Sequence, residues 1–204
     1  MIRNVVFDVG NVFVRWSPPE IVRRCFDLAA DSDANLKRAE TLFRSRIWRR
    51  LNLGELTQLE AELAYQDQFG LTKDETQKLF FHVMDHQEMI DGTVAIANRL
   101  KQSGYRVFGL TDNVREIVAY HKARNTFWEL FEGAVVSAEI GLMKPDPAIF
   151  RHMLETFRLT ASETVFLDDY QINIDGAKSV GIEAKLFTTA SRCEQDLRAL
   201  GLAF

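Results

Sequence analysis

The sequence predicts an α/β fold: a parallel sheet covered by helices and interrupted by one all-helical insertion. Three observations lead there. Short continuous apolar runs rich in Val, Ile and Phe recur along the chain, helical patterns separate them, and one long stretch is helical with no convincing strand. Short unbroken apolar runs suit strands buried on both faces, and alternation of strand and helix means parallel pairing through right-handed crossovers.

The elements follow in order. Asn4–Phe7 is the first apolar run and ends at Asp8. From Pro18 to Glu88 the pattern stays helical, so residues 18–88 are expected to form a helical cap, with residues 1–17 and 89–204 as the core. The segment Leu51-Asn52-Leu53-Gly54-Glu55-Leu56-Thr57 interrupts that stretch and is expected to form a tip facing the active site. A helix over Thr93–Ser103, stopped by Gly104, leads into a strand at Tyr105–Leu110. Further strands are expected at Ala134–Val136, Thr164–Leu167 and Ala184–Phe187, with helices over Asp146–Phe157 and Asn173–Val180, the latter stopped by Gly181.

With 204 residues, 47% of them hydrophobic, the chain is long enough for one such domain and its insertion. A formal charge of −4 argues against a nucleic-acid binder, which would carry a basic excess. The basic cluster Arg44, Arg46, Arg49 and Arg50 shares its stretch with Phe43, Ile47 and Leu51, so it reads first as a solvated helix face. Cys25 and Cys193 are far apart with no metal-binding spacing, as expected of two packed thiols in a reducing compartment. The N-terminus meets Asp8 after only three apolar residues, unlike a signal peptide. No apolar run approaches the ~18 residues that span a bilayer. A soluble, cytoplasmic protein with a small-molecule partner, and with neither membrane nor nucleic acid as partner, is the expectation; oligomeric state is not legible.

Ligands of open parallel sheets bind beyond the carboxyl ends of the strands. Asp8 follows the first strand; Thr111, Asp112 and Asn113 the second; Lys144, in Gly141-Leu142-Met143-Lys144-Pro145-Asp146, the third; and Asp168-Asp169 the fourth. Any one of these alone reads as a turn or helix-cap residue. Four strand ends in sequence order, all delivering polar groups to one rim, argue for chemistry. Clustered carboxylates cannot all stay ionised without a cation, and an oxygen-only set suits Mg²⁺. A carboxylate can attack phosphorus to give an aspartyl-phosphate, while a hydroxyl and an ammonium balance charge on transferring phosphoryl oxygens.

At these motifs the chain resembles the haloacid dehalogenase-like hydrolase superfamily, nearest its sugar-phosphatase branch with a helical cap; the phosphatase domain of soluble epoxide hydrolase is similar. The resemblance implies a three-layer Rossmann-like core and a Mg²⁺-dependent phosphatase of small phosphate monoesters, sugar phosphates among them. Phe7-Asp8-Val9-Gly10-Asn11-Val12 resembles the first motif, which makes Asp8 nucleophile and metal ligand and the Gly10 carbonyl a second ligand. Leu110-Thr111-Asp112-Asn113 resembles the second, with Thr111 on phosphate. Lys144 resembles the third. Phe166-Leu167-Asp168-Asp169 with Asn173 resembles the fourth, with Asp169 the principal metal ligand and Asp168 its support.

Two departures stand out. Family phosphatases usually carry an acid–base aspartate where this chain has Gly10, although the sugar-phosphatase branch also shows Asp-x-Gly-Asn. That help is worth ~10²–10⁴-fold, so slow turnover or a good leaving group, such as an anomeric phosphate, is expected. Asp112 stands where asparagine is common, and is a candidate for the missing proton transfer. Gly10 also opens a runner-up, a dehalogenase using Asp8 on carbon. Dehalogenases need no metal, and Asp168-Asp169 would then be an unpaired liability. A third alternative, from another class, is a catalytically weak or dead phospho-ligand-binding domain.

Other motifs carry less. Asp91-Gly92-Thr93 follows helical sequence and reads as the cap of the helix behind it. His82 and His86 have helical metal spacing without the Glu of H-E-x-x-H; His121 and His152 are isolated from any G-x-S-x-G motif. Trp48 and Leu51 could face substrate from the cap, but are expected first in the helix core. Glu55 is expected in solvent, unless it lines the pocket to accept from hydroxyl-bearing substrates.

Overall fold

The structure, a computed structural model, describes every residue except 28, 30, 31, 86 and 87. His86 therefore lies outside the described residues. In chain order the elements are β1 (Asn4–Phe7), α1 (Pro18–Phe26), α2 (Asp33–Phe43), α3 (Arg46–Asn52), α4 (Gln58–Phe69), α5 (Lys73–Asp85), α6 (Asp91–Gln102), β2 (Arg106–Thr111), α7 (Arg115–Arg124), β3 (Gly133–Val136), α8 (Ser137–Ile140), α9 (Pro147–Phe157), β4 (Thr164–Asp168), α10 (Gln171–Ser179), β5 (Glu183–Leu186) and α11 (Ala190–Ala199).

Five parallel strands pair in the order β3-β2-β1-β4-β5. All five expected strands form, with bounds displaced by about one residue. The sheet is buried on both faces because its side chains alternate. Val5 and Phe7 join Ile96 and Leu100 of α6 and Leu197 of α11 on one side. Val6 joins Ile149 and Phe150 of α9 and Ile174 of α10 on the other. The result is a three-layer α/β Rossmann-like core. β1 sits at the centre, where the chain turns to opposite sides for β2 and β4, so the crevice beyond Phe7 is the topological switch point.

Between β1 and α6 the described residues form helices α1–α5. Ser45 caps α3 by accepting from the Trp48 N–H, and Thr57 and Glu60 form a reciprocal capping box on α4. Apolar faces of these helices bury Ile21, Leu42, Leu51, Tyr65, Leu79 and Phe80 in a cluster of their own, joined by Val114 and Ile117 from the start of α7. The chain entering and the chain leaving this stretch are tied together: Val14 bridges Met89, the Arg15 N–H donates to the Glu88 carbonyl at 2.8 Å, and the Ile90 N–H donates to the Phe13 carbonyl at 2.7 Å.

Two details differ from expectation. Asp91 and Thr93 do not cap α6 but lie inside its first turn, and the preceding Ile90 offers no side-chain cap. Asp91 there still favours the positive end of the helix. The Leu51–Thr57 segment is partly consumed by α3, and its turn docks on the core. The Ser137 hydroxyl donates to the Asn52 carbonyl at 2.7 Å, and Arg115 donates to the Gly54 carbonyl at 3.3 Å. Gly54 has φ +69°, and a Cβ there would come within 2.1 Å of the Ala138 carbonyl oxygen, so only glycine fits that approach.

Candidate active site

The register of β1 explains how the site assembles. Phe7 lies opposite Gly109 of β2 and Leu167 of β4, so one residue further Asp8 stands level with Asp168 on the neighbouring strand. The Asp8 N–H continues the ladder to the Leu167 carbonyl at 2.9 Å. Two carboxylates on one level repel, and the Lys144 ammonium lies between them. Its Nζ is 2.9 Å from Asp8 Oδ1, 2.7 Å from Asp168 Oδ2 and 3.3 Å from the Leu110 carbonyl, which uses all three of its protons.

Asp8 Oδ1 also accepts from the Val9 N–H at 2.7 Å. Asp168 is fully buried, and both its oxygens are taken: Oδ1 by the Tyr170 N–H at 2.8 Å and Asn173 Nδ2 at 2.9 Å, Oδ2 by Lys144 and by the same Asn173 amide at 3.0 Å. Asp169 accepts from Asn11 Nδ2 at 3.0 Å, and Asn11 Oδ1 in turn accepts from the Trp16 N–H at 2.9 Å. Asn11 holds this clasp from a left-handed backbone, φ 52°, which asparagine tolerates better than most residues. Asp112 Oδ1 accepts from the Lys144 backbone N–H at 3.1 Å. The Asn113 N–H donates to Ser137 Oγ at 2.9 Å, and its Oδ1 accepts from the Val114 N–H at 2.8 Å.

Carboxylate oxygens of Asp8, Asp168 and Asp169 lie within 4.8 Å of one another. With Asp112, four carboxyl groups surround one ammonium. Burial pushes Asp8 well above the usual carboxylate range, against the pull of Lys144. Burial likewise raises Asp112, again opposed by Lys144, and Asp169, opposed by the Asn11 hydrogen bond. Burial alone would lower Lys144, but Asp8, Asp168 and Asp112 override it and hold the ammonium charged. This all-oxygen set with surplus negative charge is the chemistry of a hard divalent cation site.

A cavity of about 450 Å³ opens above these groups. Asp8, Gly10, Thr111, Asp112, Asn113, Lys144, Asp169 and Asn173 line its polar floor; Asp168 lies beneath. The expected site residues thus meet at one rim. Sequence reasoning misses Asn11 and the aromatics Trp16 and Phe43 as site elements, while Trp48, a candidate to face substrate, is assigned first to the helix core. Asn11 had a signal, an asparagine inside the first motif. Trp16 and Phe43 had none. Leu51 is indeed buried in the helix core, while Trp48 faces the cavity. Glu55 pairs with Arg50 at 3.0 Å in solvent and does not line the cavity. His121 is buried and bonded to Asn125 at 3.0 Å, away from the cavity. Burial pushes the thiol of Cys25 up to about 11 and that of Cys193 to about 12, as befits inert packed cysteines.

Fold and site together define a doubly wound α/β protein with a carboxylate-centred cluster at its switch point. Residues 2–181 match the haloacid dehalogenase-like hydrolase family, and the chain belongs to it. Among curated relatives, a sesquiterpene phosphatase of Aspergillus oryzae is 27% identical over 96% of this chain and 94% of its own length. A D-ribitol-5-phosphate phosphatase of Bacteroides thetaiotaomicron is 27% identical over 90% of each. Among solved structures, a HAD-family enzyme of Bacteroides thetaiotaomicron in complex with magnesium and inorganic phosphate superposes with TM-score 0.77 at 20% identity, over 93% of this chain and 96% of that one. An L-2-haloacid dehalogenase of Xanthobacter autotrophicus superposes with TM-score 0.68 at 13% identity, over 100% of this chain and 85% of that one. At such identities the structures speak for the fold alone. Among the described residues no helix is long and apolar enough to cross a membrane.

Proposed function

We propose that the chain is a Mg²⁺-dependent phosphatase of small phosphate monoesters, with Asp8 as nucleophile, and that residues 18–88 act as a cap over the site. The observation that carries this is the tether on Asp8: Lys144 and the Val9 N–H both hold Oδ1, while Oδ2 takes no hydrogen bond from the described residues at the cavity floor. The phosphatase relatives support the same reaction class.

The donor set fits a divalent cation. Asp8, the Gly10 carbonyl and Asp169 would hold it, and Asp168 supports the site through Lys144 because both its oxygens are already occupied. When bound, Mg²⁺ supplies charge neutralisation for the carboxylates and the phosphate. Asp8 attacks phosphorus, forming the carboxyl O–P bond as the alcohol departs with the bridging oxygen. Lys144, fixed by its Asp168 and Leu110 contacts, and the Thr111 hydroxyl balance charge on the equatorial oxygens, with Asn113 beside them. Water then opens the aspartyl-phosphate. Asp112 is tied to the Lys144 backbone, which favours positioning over proton transfer and leaves the acid–base role without an obvious side chain.

Dehalogenation at Asp8 is second. It leaves the surplus carboxylates of Asp169 and Asp112 uncompensated, and burial already resists their charge. Phosphate release from aryl and sugar phosphates with and without Mg²⁺ tests the proposal. Metal-dependent release by wild type that vanishes in Asp8→Asn supports it; wild-type release no greater than the variant's would leave a ligand-binding domain.

A further inference from the structure

Resting on the phosphatase proposal for the place of the phosphate, we infer that the alcohol half of the substrate is apolar rather than a polyhydroxylated sugar. Beside the polar floor, the cavity wall is largely aromatic and aliphatic. Trp16 and Trp48 stack at 5.7 Å with planes 10° apart, and Phe43 meets both edge-on, at 5.4 and 4.9 Å. Ile117 continues that wall, and the two large apolar side chains Tyr170 and Ile172 stand 59% and 56% exposed while also lining the cavity. Exposed apolar groups grouped at a cavity, rather than scattered, mark a surface that another apolar body covers.

This wall offers a polyhydroxylated sugar few polar atoms: the indole N–H of Trp16 and of Trp48, the Tyr170 hydroxyl and Asn52 Oδ1. Of the described residues from α1 to α5, the cavity takes only Phe43, Trp48 and Asn52, and the Asn52 amide nitrogen is spent on the Trp48 carbonyl at 2.9 Å. Charged side chains of the same helices turn elsewhere: Arg50 pairs with Glu55 and Arg44 with Glu40. Hydroxyls of a sugar ring that outnumber those few polar atoms would lose water without gaining a partner, whereas each buried methylene gains free energy. The aromatic rings pack against one another too closely to admit a ligand between them, so they offer a face and edges along which a flexible alkyl or prenyl chain lies. At about 450 Å³ the cavity has room for such a chain beyond the phosphate.

The test separates binding from turnover. Dissociation constants of straight-chain alkylphosphonates from two to eight carbons are measured by calorimetry on the wild-type protein with Mg²⁺, beside glucose 1-phosphate as the polar competitor. The expected result is affinity rising about threefold per methylene over the first several carbons, with octylphosphonate well ahead of the sugar phosphate. Trp48→Ala flattens that slope; if the variant fails to fold, the wild-type series alone decides. Affinities that stay within twofold across the chain lengths, or a sugar phosphate that binds tighter than octylphosphonate, overturn the inference. Phosphate release from octyl phosphate by wild type and Asp8→Asn, run in parallel, bears on the phosphatase proposal alone.

Discussion

Lys144 brings one positive charge to four carboxyl groups, and most of what single residues do in this site follows from that imbalance. Removing it in Lys144→Met leaves Asp8 and Asp168 buried and facing each other, a loss of roughly 3–5 kcal/mol. Urea unfolding should show that loss, and activity should disappear with it. Asp8→Asn acts the opposite way on stability. It removes a charge that burial disfavours while Lys144 keeps Asp168, so the metal-free variant unfolds no earlier than wild type, although turnover is abolished. A clear drop in its metal-free Tm would contradict this account of the charges. The same imbalance sets a pH dependence. Asp8 and Asp169 titrate higher in the folded chain than in the unfolded one, so their contribution is present at low pH and lost as pH rises through the folded values. Mg²⁺ held as proposed would relieve the loss by pairing the ionised forms. The Mg²⁺-induced rise in Tm should therefore grow from pH 5 to pH 8, and a rise independent of pH would show that these carboxyls do not hold the ion.

Elements place those residues, and here the turn after β1 matters most. Asn11 takes a left-handed conformation so that one amide bonds both Asp169 and the Trp16 backbone, joining the fourth motif to the start of the aromatic wall. Asn11→Ala loses both bonds and adds backbone strain of about 1 kcal/mol. Mg²⁺ affinity should fall several-fold as Asp169 loses its anchor, with the sheet intact by circular dichroism. Such a clasp is hard to read in a sequence, because it depends on a positive φ that no periodicity reveals. The strands were legible for the converse reason: burial on both faces leaves continuous apolar runs such as Val5–Phe7, and the rule that ligands gather at strand ends then pointed to Asp8, Thr111 and Asp168. Strand ends moved by about one residue because pairing with the neighbour, not composition, decides where a ladder stops, as Thr111 opposite Val136 illustrates. Trp16, Phe43 and Trp48 were opaque as a group. Trp16 precedes α1, Phe43 ends α2 and Trp48 sits in α3, so only tertiary packing brings the three to one cavity.

At the scale of the whole molecule, helices α1–α5 have their own apolar cluster and meet the core through Val114 and Ile117 at the start of α7 and through a few polar contacts near the cavity. Ser137 is the busiest of these: fully buried, it accepts from the Asn113 N–H and donates to the Asn52 carbonyl, so one hydroxyl ties the loop after β2 to α3. Arg115 adds the bond to Gly54, and the close approach of that glycine to Ala138 makes the join tight. Separate clusters linked by few contacts open separately, because opening costs only the contacts that cross between them. Ser137→Ala strands a buried N–H and a buried carbonyl, a loss of about 1–3 kcal/mol concentrated at the join. Hydrogen exchange should then speed up at residues 46–57 while β1 and β4 exchange as slowly as in wild type, and the Tm of the sheet should change little. If exchange accelerates equally in β1, the helices and the sheet unfold as one unit, and residues 18–88 are a layer of the core rather than a cap that opens over Asp8.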